Sequence, residues 1–182
     1  VHLTWNHDNL LCGAAMDGCT GLTNKGRQFV MRAQELGIML DMSHISERGF
    51  WDTLEISTRP VIAGHSNSKA VCNVPRNLSD EQFLALVRQG GGAGINLYPK
   101  FLGLGRNIDA VFAHIEHFMS LGGEKSVFLG CDLDGIEEMP RGISGVQDLG
   151  RIYETLLRHN YSEQLVCDIF RNNILKVMEK AL

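Results

Sequence analysis

Two alternating periodicities narrow what this chain can fold into more than any other feature. Four short apolar runs punctuate it: Gly37-Ile38-Met39-Leu40-Asp41-Met42, Pro60-Val61-Ile62-Ala63-Gly64, Gly92-Ala93-Gly94-Ile95-Asn96-Leu97 and Ser126-Val127-Phe128-Leu129-Gly130. Each is apolar nearly throughout rather than at every second residue, as expected of strands covered on both faces in a parallel sheet. Between them the apolar residues recur at helical spacing. Residues 23–36 place Phe29, Val30, Ala33 and Leu36 on one face, and residues 46–56 place Phe50 and Leu54. Ser79-Asp80-Glu81-Gln82 caps a helix carrying Phe83, Leu84, Leu86 and Val87. Residues 108–121 repeat the pattern with Val111, Phe112, Ile115 and Phe118, and residues 146–158 and 162–180 read as two closing helices. With His2-Leu3-Thr4 as a further strand stub, strands alternate with helices across short connections. That is the signature of an α/β parallel sheet. No linker or low-complexity stretch divides residues 1–182, so a single domain is expected.

Composition removes several partners. Seventeen Lys and Arg against 21 Asp and Glu give a charge of −4, which provides no electrostatic footprint for nucleic acid or an anionic membrane. No apolar run approaches the roughly 20 residues of a membrane-spanning helix. Five cysteines, Cys12, Cys19, Cys72, Cys131 and Cys167, are odd in number, irregularly spaced and without a C-x-x-C pair. Neither a disulfide framework nor a zinc ribbon fits them, so unpaired thiols and a cytoplasmic location are expected.

In parallel α/β folds the reactive groups gather at the carboxyl ends of the strands. Here those ends read Trp5-Asn6-His7-Asp8-Asn9, Asp41-Met42-Ser43-His44, Gly64-His65-Ser66-Asn67, Asn96-Leu97-Tyr98 and Gly130-Cys131-Asp132-Leu133-Asp134. Two histidines and an aspartate in such places suit a metal, because neutral imidazoles and carboxylates are zinc donors and strand ends hold them rigidly. A histidine in a domain of this size is ordinarily a core or surface residue, and His114, His117 and His159, which fall on helices, are read that way. His44 and His65 both follow an apolar strand at the same point and are read as metal ligands. Asp132 lies nearer the strand than Asp134, whose Gly135 neighbour suits a plain turn. Arg76, in the loop after the third strand, is open to two readings: a solvated charge, or a bidentate partner for a substrate carboxylate.

These segments resemble those of the membrane (renal) dipeptidases, a family of zinc metallopeptidases with bacterial members. Leu40-Asp41-Met42-Ser43-His44 with Phe50-Trp51-Asp52 is similar to one metal-binding segment of that family. Pro60-Val61-Ile62-Ala63-Gly64-His65-Ser66-Asn67 followed by Pro75-Arg76-Asn77-Leu78-Ser79-Asp80 is similar to the next. Gly130-Cys131-Asp132-Leu133-Asp134-Gly135 resembles its G-x-D-F-D-G segment, and Leu3-Thr4-Trp5-Asn6-His7-Asp8-Asn9 its bacterial L-T-x-x-x-x-N stretch. The tail around Phe170-Arg171-Asn172-Asn173 is like the final helix, with Arg171 where the family usually has glycine. The motifs follow in order through nearly the whole chain.

The resemblance implies a (β/α)8 TIM-type barrel with two zinc ions at the strand ends. It implies hydrolysis of small dipeptides, and in some members of related amides, by a metal-activated hydroxide. By motif, His44 and His65 would ligate zinc, Asp132 would carry the proton and meet the substrate amine, and Arg76 would hold a substrate carboxyl group. The family places a substrate-binding histidine directly after its L-T pair; Trp5 stands there, which leaves His7 as the candidate. Phe101 stands near a position where some members use tyrosine. The family's H-x-D motif and its metal-bridging glutamate have no counterpart in these residues. The chain is therefore expected to form the C-terminal part of the barrel, about strands 4/5 to 8, an incomplete metal-dependent hydrolase domain. It would be completed by a preceding segment or by association as a homo-oligomer. Two other functions remain open at this point: a metal-dependent amidohydrolase acting on another small amide, and an inactive half-barrel that binds or assembles.

Overall fold

The computed structural model describes residues 1–18 and 20–181; Cys19, counted above among the thiols, falls outside them. Three strands, β1 (Ile62–Ala63), β2 (Gly92–Ile95) and β3 (Val127–Leu129), form a parallel sheet in the order β1-β2-β3. Two shorter segments extend it on the β1 side. Asp41 makes a parallel bridge to Ile62, and His2 makes one to Asp41. The backbone at His2, at Leu40-Asp41-Met42 and along β1 to β3 thus lies side by side in chain order. The His2 stub and the four apolar runs all pair in parallel, as the alternation predicts, although the stub and the first run contribute bridges rather than full strands.

The helices between strands follow from their caps and apolar faces. α1 (Asn24–Glu35) starts where the Thr23 hydroxyl accepts the Gly26 N–H, and α2 (Glu47–Ile56) where Ser46 accepts the N–H of Gly49. α3 (Asp80–Arg88) carries a full capping box between Ser79 and Gln82. Such a cap contributes about 1 kcal/mol by satisfying amides the helix itself leaves unpaired. A four-residue helix, α4 (Pro99–Leu102), follows β2, and α5 (Ile108–Ser120) packs Val111, Ile115 and Phe118 into the core. After β3 come α6 (Gly150–Arg158), α7 (Glu163–Cys167) and α8 (Asn173–Ala181). The span 146–158, expected as one helix, begins instead with a 3-10 turn at Val146–Asp148. Between α7 and α8, Asp168–Asn172 is wound as a π-helix, and Arg171 sits inside it.

Val61, Ala63, Ala93, Ile95, Leu97 and Val127 are buried with Phe83, Leu86, Phe118 and Ile152 in one continuous core, with the Phe83 and Phe118 rings stacked 4.1 Å apart. Glycine lets the strands close on one another: a Cβ on Gly94 or Gly130 would sit 2.0 or 1.7 Å from the Gly64 carbonyl oxygen. Among the described residues, no helix is long and apolar enough to cross a membrane, and Cys12, Cys72, Cys131 and Cys167 are free thiols.

Candidate metal centre and cleft

The carboxyl ends of the paired segments bring His44, His65, Arg76 and Asp132 to one side of the sheet. His44 leaves its segment in the left-handed conformation, φ 70°, and Asp132 does the same after β3, φ 60°. Such backbone is uncommon for residues with a side chain and costs of order 1–3 kcal/mol unless surrounding contacts hold it. The turns redirect both side chains at the point where pairing ends.

His44 and His65 meet through their Nε2 atoms, 2.9 Å apart, with ring planes at 60°. Burial, with the positive charge of Arg76 next in weight, pushes the His44 imidazole down to about 3. Burial likewise lowers His65, against the opposing pull of the Asp41 carboxylate. Both rings are therefore neutral near pH 7 and present lone pairs. The donor set suits zinc: two Nε2 ligands on a tetrahedral ion stand about 3.3 Å apart, so the pair needs to open by only a few tenths of an ångström. His44 Nδ1 lies 3.2 Å from Asn6 Oδ1, a partner able to fix the ring's orientation.

Asp41 and His2 adjoin this pair. Oδ2 of Asp41 is 3.0 Å from Nε2 of His2, and His2, Asp41 and His65 together form the one group of three donors spaced for a metal among the described residues. Burial favours the protonated form of Asp41. The bond and charge of His2 and the amides of Gly64 and Ser43 outweigh it and hold the carboxyl well below the usual range.

Arg76 is not a solvated charge. It is 5% exposed, donates to the Ser66 hydroxyl and the His65 carbonyl at 3.4 and 3.3 Å, and leaves its Nε without a partner among the described residues. Burial lowers its guanidinium to about 10 against the pull of Asp41 and Asp132, so it stays cationic at neutral pH. The loop that carries it is tied down by Asn77, whose side chain donates to the carbonyls of Cys72 and Phe101 at 2.8 and 2.9 Å.

Asp132 accepts a hydrogen bond from Asn96 Nδ2 at 3.2 Å. Asn96 is itself clamped: its backbone N–H donates to Asn67 Oδ1 and its carbonyl accepts from Asn67 Nδ2. His44, Arg76, Phe101 and Asp132 line one cleft of about 600 Å³, shared with Trp5 and His7. His7 stands at the exposed rim, its Nδ1 3.1 Å from Asp17 Oδ1. Phe101 lies under the Arg76 guanidinium, 5.5 Å from it.

The structure thus gathers His44, His65, Arg76 and Asp132, with His7 at the margin. Asp41, His2 and Asn96 adjoin these residues, and no motif in the sequence singles them out. A signal for Asp41 existed, since it ends an apolar run three residues before His44, but its partners are named only by strand pairing.

The sequence model of "Membrane dipeptidase (Peptidase family M19)" matches residues 1–182. A Klebsiella pneumoniae protein described as an uncharacterized protein in the pqqA 5' region is 34% identical over 165 residues, covering 87% of this chain and 60% of that protein. An uncharacterized dipeptidase of Schizosaccharomyces pombe is 31% identical over 182 residues, 96% of this chain and 44% of its own length. The crystal structure of a metallo peptidase from Rhodobacter sphaeroides, liganded with a phosphinate mimic of the dipeptide L-Ala-D-Ala, superimposes with a TM-score of 0.94 at 30% identity. It covers all of this chain and 55% of that one. The chain spans about half the length of the relatives it matches.

Proposed function

The chain belongs to the membrane dipeptidase family, peptidase family M19, and from that premise we propose that it serves zinc-dependent hydrolysis of small dipeptides. We propose further that its parallel strands are the later strands of a (β/α)8 barrel, and that His44 and His65 are zinc ligands in a two-ion centre. The observation that carries this reading is the convergence of the two neutral imidazoles at 2.9 Å above a cleft that also receives Arg76 and Asp132.

Zinc, when bound, supplies an activated water and polarises the scissile carbonyl. The other tasks fall to side chains. Arg76, cationic and nearly enclosed, takes the substrate's terminal carboxylate; its fixed fork suits two parallel N–H···O bonds. Asp132, at the end of β3 and oriented by Asn96, meets the substrate amine and passes a proton to the leaving amine, which would otherwise depart poorly. Neutral His44 and His65 hold the metal without competing protons near pH 7. His7, at the rim, is placed to touch the far end of a bound dipeptide. Trp5, 72% exposed where the family carries its substrate histidine, offers an apolar face instead of a ring donor.

The test combines metal analysis with a substrate panel. The protein is expected to bind zinc and to cleave dipeptides with a free carboxylate, L-Ala-D-Ala among them, in preference to their amidated counterparts. Absence of bound zinc, or equal cleavage of free and amidated dipeptides, would overturn the reading.

A further inference from the structure

We infer that Asp41 is a positioning residue that sets His44 and His65 in mutual register, an inference that rests on their reading as zinc ligands. Its Oδ1 accepts two backbone hydrogen bonds, from Ser43 N–H at 2.9 Å and from Gly64 N–H at 2.8 Å. Ser43 and Gly64 are the residues immediately before the two histidines. One carboxylate oxygen therefore ties together both strand ends at the step where each delivers its imidazole.

The bond stands in for a lost ladder contact. Ile62 N–H donates to the Leu40 carbonyl and Met42 N–H to the Ile62 carbonyl, so the next parallel bond would run from Gly64 N–H to the Met42 carbonyl. That carbonyl is instead turned to Ile45 N–H as the chain bends through His44 at φ 70°. Asp41 supplies the missing acceptor to Gly64. A second tie crosses one residue further on, where His65 N–H donates to Ser43 Oγ at 3.0 Å. Glycine at 64 is part of the device, because a Cβ there would lie 2.2 Å from Asp41 Oδ2. With Oδ1 committed to two amides and Oδ2 facing His2, the carboxylate acts on the metal through the backbone.

Three variants separate this role from others. Asp41→Asn keeps a carbonyl oxygen for the two amides; Asp41→Ala removes it; Gly64→Ala crowds the carboxylate away while leaving it present. Zinc affinity is read by chelator competition, and amide exchange at Ser43 and Gly64 is read on the metal-free protein. We expect Asp41→Ala and Gly64→Ala to lose about 10–100-fold in zinc affinity together with protection at both amides. Asp41→Asn should stay within a few-fold of the parent and keep that protection. If Asp41→Ala fails to fold, Gly64→Ala against Asp41→Asn makes the same comparison. A parent that binds zinc while both disruptive variants bind it equally well overturns this inference alone, as does an Asp41→Asn variant as weak as Asp41→Ala. A parent that binds no zinc overturns the functional reading and this inference with it.

Discussion

The Nε2 atoms of His44 and His65 lie 2.9 Å apart although 21 residues separate them in the chain. Two nitrogens so placed, on rings whose protonation burial disfavours, are what the proposed zinc ligation requires. Replacing either ring with alanine is expected to lower zinc content and reduce dipeptide hydrolysis by more than about 100-fold, since ligands matter at least as much as the groups that orient them. Elemental analysis of parent, His44→Ala and His65→Ala beside an assay of released amino acid checks this. Full zinc occupancy in either variant would count against the assignment.

Asp132 and Asn96 are expected to separate chemistry from metal binding. Asp132→Asn should retain zinc yet lose about 10²–10⁴-fold in kcat, the usual weight of a positioned proton carrier. Asn96→Ala, which removes the 3.2 Å donor to Asp132 but not the carboxylate, should lower kcat by a smaller factor, on the order of tenfold, with KM little changed. Steady-state kinetics on zinc-loaded protein decide it. A variant whose loss tracks its zinc content would place Asp132 with the ligands instead.

Much of this architecture is legible in the sequence. The caps at Thr23, Ser46, Ser79 and Ser162 stand where local chemistry demands them, because a hydroxyl closing a first turn needs nothing from elsewhere. The parallel pairing of the apolar runs follows from strand–helix alternation with short connections. What stayed hidden depends on distant partners. Asn96 reads as one polar residue ending an apolar run until Asn67 and Asp132, 29 and 36 residues away, close around it. Arg76 stood between solvent and substrate because nothing near it in sequence says that Ser66, His65 and Phe101 enclose it. The π-helix at Asp168–Asn172 interrupts a run whose apolar spacing continues through it, so no local signal marks the break.

Arg76 predicts a split in kinetic constants. Arg76→Met keeps much of the volume while removing the charge, and should raise KM for dipeptides with a free carboxylate by about 10–100-fold, a bidentate charged contact being worth roughly 1.5–3 kcal/mol. Amidated dipeptides should be indifferent to the change. Arg76→Lys should recover little, because an ammonium cannot reproduce the fork. Equal losses on both substrate types would mean that the arginine acts through the fold of its loop.

His114 predicts how stability depends on pH apart from His44 and His65. It lies fully buried on α5, and its Nδ1 accepts the Ser68 N–H at 3.2 Å, which places the neutral ring's proton on Nε2. Burial pushes the imidazole from 6.5 down to about 4, against nearby Leu102 and Phe101 carbonyls that favour the charged form. A second proton must enter at Nδ1, where it displaces the bond to the loop leading toward Arg76. With the folded value below the unfolded one, the unfolded chain binds more protons between those limits. The contribution is therefore complete above about pH 6.5 and is lost as pH falls toward 4, roughly 2–3 kcal/mol by pH 4.5. Denaturant unfolding at pH 7 and pH 4.5 measures it, with His114→Gln as the comparison because His44 and His65 contribute to both proteins alike. The parent should lose more stability than His114→Gln between the two pH values by about that amount; equal losses would show that the ring titrates alike in the folded and the unfolded chain.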